Sequence, residues 1–149
     1  MAIHYFAEET QVPAIKKREI SRWIKAVAAT YGKTTGEISY IFCNDSRILE
    51  VNRQYLQHDY YTDIITFDYT EGNRISGDIF ISLDTVKSNA QEYGQRFEDE
   101  LHRIIIHGIL HLCGIKDKGE KERQQMTRCE NQALEQLSVM QAEAQKENP

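Results

Sequence analysis

Residues 104–117 read IIIHGILHLCGIKD. His107 and His111 stand four residues apart in this run, and nearly every other position is apolar. On a helix that spacing puts both imidazoles on one face, one turn apart, where they can share one ion. Ile104, Ile105, Ile106, Ile109, Leu110 and Leu112 make the helix apolar nearly all round, and such a helix is buried. Two imidazoles inside it are costly unless their nitrogens have partners. A metal ion is one such partner, and hydrogen bonds to backbone or carboxylate groups are the other. Gly114 suits the left-handed residue that ends a helix. The chain then turns, and Asp117 can swing back as an oxygen ligand. Two nitrogens and one oxygen suit zinc, with a fourth position open to water.

The spacing HxxxHxxGxxD is shared with zinc peptidases, but one part is missing. In HExxH the glutamate after the first histidine is the general base. Here that place holds Gly108, which allows close packing or the approach of a substrate to the metal. A peptidase mechanism loses its usual proton acceptor. His102 lies five residues before His107 and points to another face. His4, near the start, and His58, in a polar loop, read as surface groups.

Outward from this helix, the pattern predicts strands over 3–8, 37–43, 64–69 and 78–83, where β-rich residues alternate or run between turn signals. The turn-like EGNRISG separates the last two. A first helix is expected from Pro13 to Tyr31, stopped by Gly32, with Ile15, Ile20, Trp23, Ile24 and Val27 on its buried face. Its other face carries Lys16, Lys17, Arg18, Arg22 and Lys25, a solvated charged surface or a local patch for an RNA backbone. A short helix capped at Asn44–Ser46 runs to about Tyr55. Asp84 is expected to cap a helix ending at Gly94, a long helix covers 97–113, and a last one covers 120–138, followed by a polar tail from about Gln141 that frays. Strands mixed with helices in this order argue an α+β fold: one domain, a mixed sheet of about four strands covered by helices, and the metal site on a central buried helix.

The 149 residues suffice for one domain with a core of its own. A net charge of −5 gives no global basic field, so a nucleic-acid partner needs a local patch. The start MAIHYFAEETQVP has neither a basic head nor a long apolar core, which argues against a secretory signal, and no stretch approaches a membrane span. Cys43, Cys113 and Cys129 form no CxxC pair and read as small buried hydrophobes in a reducing cytoplasm.

HGILHLCGIKD resembles the HGxLHLxGYDH signature of the YbeY family, the bacterial rRNA maturation endoribonucleases. NRQYLQHDYYTDIITFDY at 52–69, SGDIFIS at 76–82 and the distal Met126 with Glu130 agree, in the family's order, over roughly residues 37–135. The resemblance implies a compact α+β domain with one bound zinc, or another divalent transition metal, held by His107, His111 and Asp117. It further implies single-strand-specific RNA cleavage in rRNA maturation, including the 3′ end of 16S rRNA, and in ribosome quality control. The implied partners are rRNA and ribosomal subunits, with no DNA and no membrane.

Two positions depart from the family pattern. The family's third ligand is usually histidine where this chain has Asp117, which is still a competent zinc ligand. The family usually has an arginine after the aromatic of its N-x-x-aromatic stretch, and here Tyr55 is followed by Leu56. Arg53, Arg74, Lys116 and Lys118 are candidates for the missing phosphate contact, each being equally readable as a plain surface charge. Asp63 can orient a metal ligand from behind or serve as a turn residue. Two other functions stay open: a metallopeptidase-like hydrolase, and a non-catalytic ribosome-assembly factor with a structural metal. An open coordination position favours an enzyme, and a fourth protein ligand favours a structural site.

Overall fold

Along the chain run β1 (Ile3–Ala7), α1 (Lys17–Thr30), β2 (Thr34–Cys43), α2 (Asp45–Leu56), β3 (Ile64–Asp68), β4 (Arg74–Ser82), α3 (Leu83–Glu92), α4 (Phe97–Leu112) and α5 (Glu120–Glu147). The computed structural model describes residues 3–57 and 62–147, so His58 lies outside the described residues. The strands form one sheet in the order β1-β2-β4-β3. β2 runs parallel to both β1 and β4, and β3 returns antiparallel to β4 through a hairpin. The fold is the expected α+β arrangement, a four-stranded mixed sheet with helices packed on it.

Period-two burial explains the central strands. Ile38, Tyr40 and Phe42 of β2, with Ile75, Ile79 and Ile81 of β4, are fully buried. The i, i+3, i+4 stripe Ile20, Trp23, Ile24 and Val27 sinks one face of α1 into the same core. α4 is the central helix: Leu101, Ile105, Ile106, Ile109 and Leu110 are buried, as its all-round apolar pattern requires. Two polar handles pin this core. The Trp23 Nε1–H donates to the Ala133 carbonyl at 2.7 Å, tying α1 to α5, and the Tyr40 hydroxyl donates to the Ile105 carbonyl at 2.8 Å, tying β2 to α4.

Four boundaries differ from expectation. α1 begins at Lys17 rather than Pro13, because the Ile15 N–H bonds to the Pro13 carbonyl at 2.8 Å and folds that stretch into a tight turn. β4 begins at Arg74, because Glu71 and Arg74 exchange backbone hydrogen bonds around Gly72 (φ 59°) and Asn73, a two-residue hairpin turn hidden in EGNRISG. Ser82, not Asp84, caps α3 by accepting from the Thr85 N–H. Asp84 instead accepts from the Asp45 N–H at 3.0 Å, while Asp45 accepts from Ser82 and Thr85 at 2.6 Å. Asp84 thus helps cap α2, and Asp45 holds the hydroxyls at the start of α3. Finally, α5 runs to Glu147, past the expected end at Ser138, carried by a tail rich in good helix formers such as Ala, Gln, Glu and Lys.

Gly77 sets how closely α4 can approach the hairpin. A β-carbon there would overlap the Phe67 carbonyl oxygen on β3 and sit 3.1 Å from Leu112 Cδ2 on α4. Gly77→Ala is therefore expected to spread the hairpin and cost roughly 1–3 kcal/mol, as overpacking does. Urea unfolding checks this, and an unchanged midpoint would contradict it.

Candidate metal centre

The last two turns of α4 carry the site. His107 and His111 lie one turn apart with ring centroids 4.5 Å apart and planes at 84°. The helix then closes through Gly114 (φ 95°), whose N–H bonds to the His111 carbonyl at 2.9 Å, while the Ile115 N–H reaches the Leu110 carbonyl at 3.0 Å. This left-handed closure returns the chain over the helix end. Asp117 Oδ2 then stands 3.4 Å from His107 Nε2 and 3.3 Å from His111 Nε2.

Those separations test the metal. A tetrahedral ion with bonds of about 2.0–2.1 Å sets its ligand atoms roughly 3.3–3.4 Å apart. Both histidine–aspartate edges match that value, and the donor atoms all fall within 4.8 Å of one another. The donor set, two imidazoles and a carboxylate, fits a zinc-type ion. Among the described residues no fourth His, Cys, Asp or Glu joins the group, and the three face the cleft.

Behind the ligands, His107 Nδ1 and Glu130 Oε2 share a 2.6 Å hydrogen bond. That partner leaves Nε2 for the metal side, the usual carboxylate–histidine support of a ligand. Arg103 holds Glu130 in turn through a 2.8 Å bond to Oε1 and reaches Asn131 Oδ1 at 2.8 Å. Asn131, Arg103, Glu130 and His107 form one chain of hydrogen bonds from α5 through α4 to the site. The electrostatics agree. Burial works against a charge on His107, but the Glu130 hydrogen bond and the nearby charges of Glu130, Asp117 and Asp63 raise its pKa above the ordinary value. His111 is held below it by burial and by the charge of His107.

The triad opens into a cleft of about 1250 Å³. Lys118, Arg103 and Arg123 are its cations, with Asp63 and Glu100 among its acids and Leu56 on its wall. Burial pushes the carboxyl of Asp63 up, and His107 is the main charge opposing that. Asp63 therefore sits beside the site without belonging to the ligand group, and its backbone carbonyl accepts from the Ser82 N–H at 2.9 Å. Of the cations read from sequence, Lys118 lines the cleft, whereas Arg53, Arg74 and Lys116 do not, and all three are exposed. His102 is buried elsewhere, edge-on to Trp23.

Gly108 proves to be a packing residue. Its missing β-carbon would lie 3.0 Å from Ile79 Cδ1 and 3.3 Å from Ile64 Cδ1. The position where a peptidase carries its general base thus faces the sheet rather than the cleft. Glu130, Arg103 and Glu100 were not singled out as working parts of the site from sequence. Glu130 had a legible signal: it falls on the buried stripe Met126, Glu130, Ala133, Leu137 of α5, where a carboxylate needs a partner.

A mixed sheet, a central helix bearing a His–His–Asp group that could hold a metal ion, and an open cleft beside it define an α+β protein with the makings of a hydrolase site. Comparison with known proteins narrows the class. The family model described as Endoribonuclease YbeY matches residues 4–138, and the chain belongs to that family. A relative from Parabacteroides distasonis, named Endoribonuclease YbeY, is 72% identical over 134 residues, covering 90% of this chain and 94% of its own. Another of that name, from Bacteroides thetaiotaomicron, is 66% identical over 134 residues, covering 90% of this chain and 98% of its own. A solution structure of a Thermotoga maritima protein aligns with a TM-score of 0.66 at 25% identity, covering 99% of this chain and 97% of that one. Among the described residues no helix is long and apolar enough to cross a membrane.

The third ligand can be tested by exchange. Asp117→Ala is expected to weaken metal binding far more than Asp117→His, because histidine supplies another ligand nitrogen and alanine leaves two ligands. Equal metal retention in both variants, measured by competition with a chromogenic chelator, would mean that Asp117 does not bind the ion.

Proposed function

We propose that this protein is a zinc-dependent endoribonuclease that cuts single-stranded RNA. Its setting would be rRNA maturation, including the 3′ end of 16S rRNA, and ribosome quality control, with rRNA and ribosomal subunits as its cytoplasmic partners. The observation that carries the reading is a His107–His111–Asp117 group whose two histidine–aspartate edges match a tetrahedral ion, open on one side to a cleft that also carries Lys118 and Arg123. The relatives' shared name, Endoribonuclease YbeY, supports RNA as the substrate.

His107 and His111 would hold the ion as neutral imidazoles and Asp117 would complete the set. A bound zinc-type ion supplies charge neutralisation at a phosphodiester and lowers the pKa of water toward 7, from about 15.7. Glu130 keeps His107 in the tautomer that presents Nε2. Lys118 and Arg123 can neutralise backbone phosphates along the cleft, in place of the arginine that Leu56 replaces. The peptidase reading loses ground because position 108 faces Ile79 and Ile64 and no carboxylate there could serve an amine leaving group. The acidic net charge of −5 argues for weak cutting of naked RNA and better cutting of ribosomal particles.

The test compares the wild type with His111→Ala, prepared identically, on unstructured RNA, structured RNA, ribosomal subunits and casein. The wild type should cut single-stranded RNA or subunits and leave casein intact, and His111→Ala should cut nothing. Equal cutting by both proteins would mark a contaminant, and casein cleavage without RNA cleavage would favour the peptidase.

A further inference from the structure

Glu100 stands on α4 seven residues before His107 and lines the same cleft as Arg103, Ile104, His107 and His111. Two helical turns separate it from His107, roughly 10 Å along the axis. The residue is only 5% exposed, yet no described residue gives its carboxylate a hydrogen bond or an ion pair. Buried glutamates are rare unless paired, and this carboxylate reaches the cleft, where its need for a partner is left for a bound molecule to meet. The charged groups around it do not meet that need. Arg103 faces it from the same helix, but its guanidinium is committed to Glu130 and Asn131. The other neighbours are Asp63, ahead of β3, and Glu130, on α5, and both are acids.

This corner of the cleft repels a phosphate. It suits a neutral hydrogen-bond donor instead. RNA carries two kinds within reach of a backbone held at the metal ligands: the ribose 2′-hydroxyl and the amino groups of the bases. We propose that Glu100 contacts the substrate directly, accepting a hydrogen bond from one such donor on a nucleotide next to the one at the metal centre, and so selects which strand is held for cutting. The proposal rests on RNA being the ligand of this cleft. If the donor is the sugar, Glu100 is also what separates RNA from DNA.

The experiment measures equilibrium binding of fluorescein-labelled strands to the zinc-loaded wild type, Glu100→Gln and Glu100→Ala by anisotropy. Three strands are compared: a single-stranded RNA, its 2′-deoxy counterpart, and the same RNA with inosine and purine riboside replacing guanosine and adenosine, which removes their amino groups. The wild type should favour the full RNA over one of the two depleted strands by roughly tenfold, the size of a hydrogen bond to a charged acceptor. Glu100→Ala should lose that preference and bind the RNA at the depleted strand's level. Glu100→Gln, which keeps an acceptor oxygen, should keep part of it. Loss against the deoxy strand identifies the sugar as donor, and loss against the base-depleted strand identifies the base. A Glu100→Ala protein that keeps the full preference, or weakens on all three strands equally, would overturn the proposal. So would a wild type with no preference among them. Failure of the nuclease reading is separate: it would show as bound RNA left uncut by the wild type, with the Glu100-dependent preference still measurable.

Discussion

The His107→Ala protein should purify without a bound transition metal and cut no RNA, while keeping its helices and sheet. The substitution removes one of three candidate ligands from a group whose two histidine–aspartate edges match a tetrahedral ion. Losing an outer partner of a ligand costs about 10–100-fold in metal affinity, and losing the ligand itself should cost well beyond that. The fold should persist, because the packing of α4 rests on Leu101, Ile105, Ile106, Ile109 and Leu110, all buried and all retained. Elemental analysis, circular dichroism and cleavage on one preparation check the three parts. Full metal retention would mean that His107 is a core histidine paired with Glu130 and nothing more.

Glu130 should show the next largest effect. Glu130→Gln keeps the shape but weakens the hold on His107 Nδ1, and metal affinity should fall about 10–100-fold. Glu130→Ala also strips Arg103 of its closest partner. Breaking a buried charge pair costs about 3–5 kcal/mol, and the loss here should lie near or below the lower end, because the Arg103 side chain is 26% exposed and partly screened. Urea unfolding of the metal-free proteins separates the two variants, and equal midpoints would contradict this role. The pair also sets a pH dependence. In the metal-free chain His107 holds its proton above the ordinary 6.5. The stability this adds is present below pH 6.5 and is lost as pH rises through the raised value. The ion competes for the same imidazole, so metal affinity should weaken as pH falls through that range.

The grouping of His107, His111 and Asp117 was legible because it is local. His107, His111 and Asp117 fall within one helix end and its turn, where a spacing of four and a glycine stop are visible in sequence. Glu130 lies 23 residues from His107 and meets it only because α5 packs on α4, so its pairing is a tertiary fact. Its place on the stripe with Met126 and Ala133 marks a buried carboxylate but does not name the partner. Glu100 is less legible still, since a glutamate in the first turn of a helix reads as ordinary dipole compensation. For the fold, alternation found the strands and the 3.6 period found the helices. The parallel pairing of β2 with both β1 and β4 was not visible, because periodicity says which face is buried and not which neighbour lies alongside. The starts of α1 and β4 differ for another reason: Pro13 usually opens a helix and EGNRISG usually forms a loop, but local backbone hydrogen bonds at Ile15 and around Gly72 decide otherwise.

The most direct test of the account is to measure metal content and RNA cleavage on the same wild-type preparation, purified without chelator, then stripped, then reloaded with zinc. The expected result is about one zinc-type ion per chain, bound by the single ligand group found among the described residues. Cleavage of single-stranded RNA should disappear with the ion and return with it. A protein that carries no transition metal as purified, or that cuts RNA equally well after stripping, would contradict it.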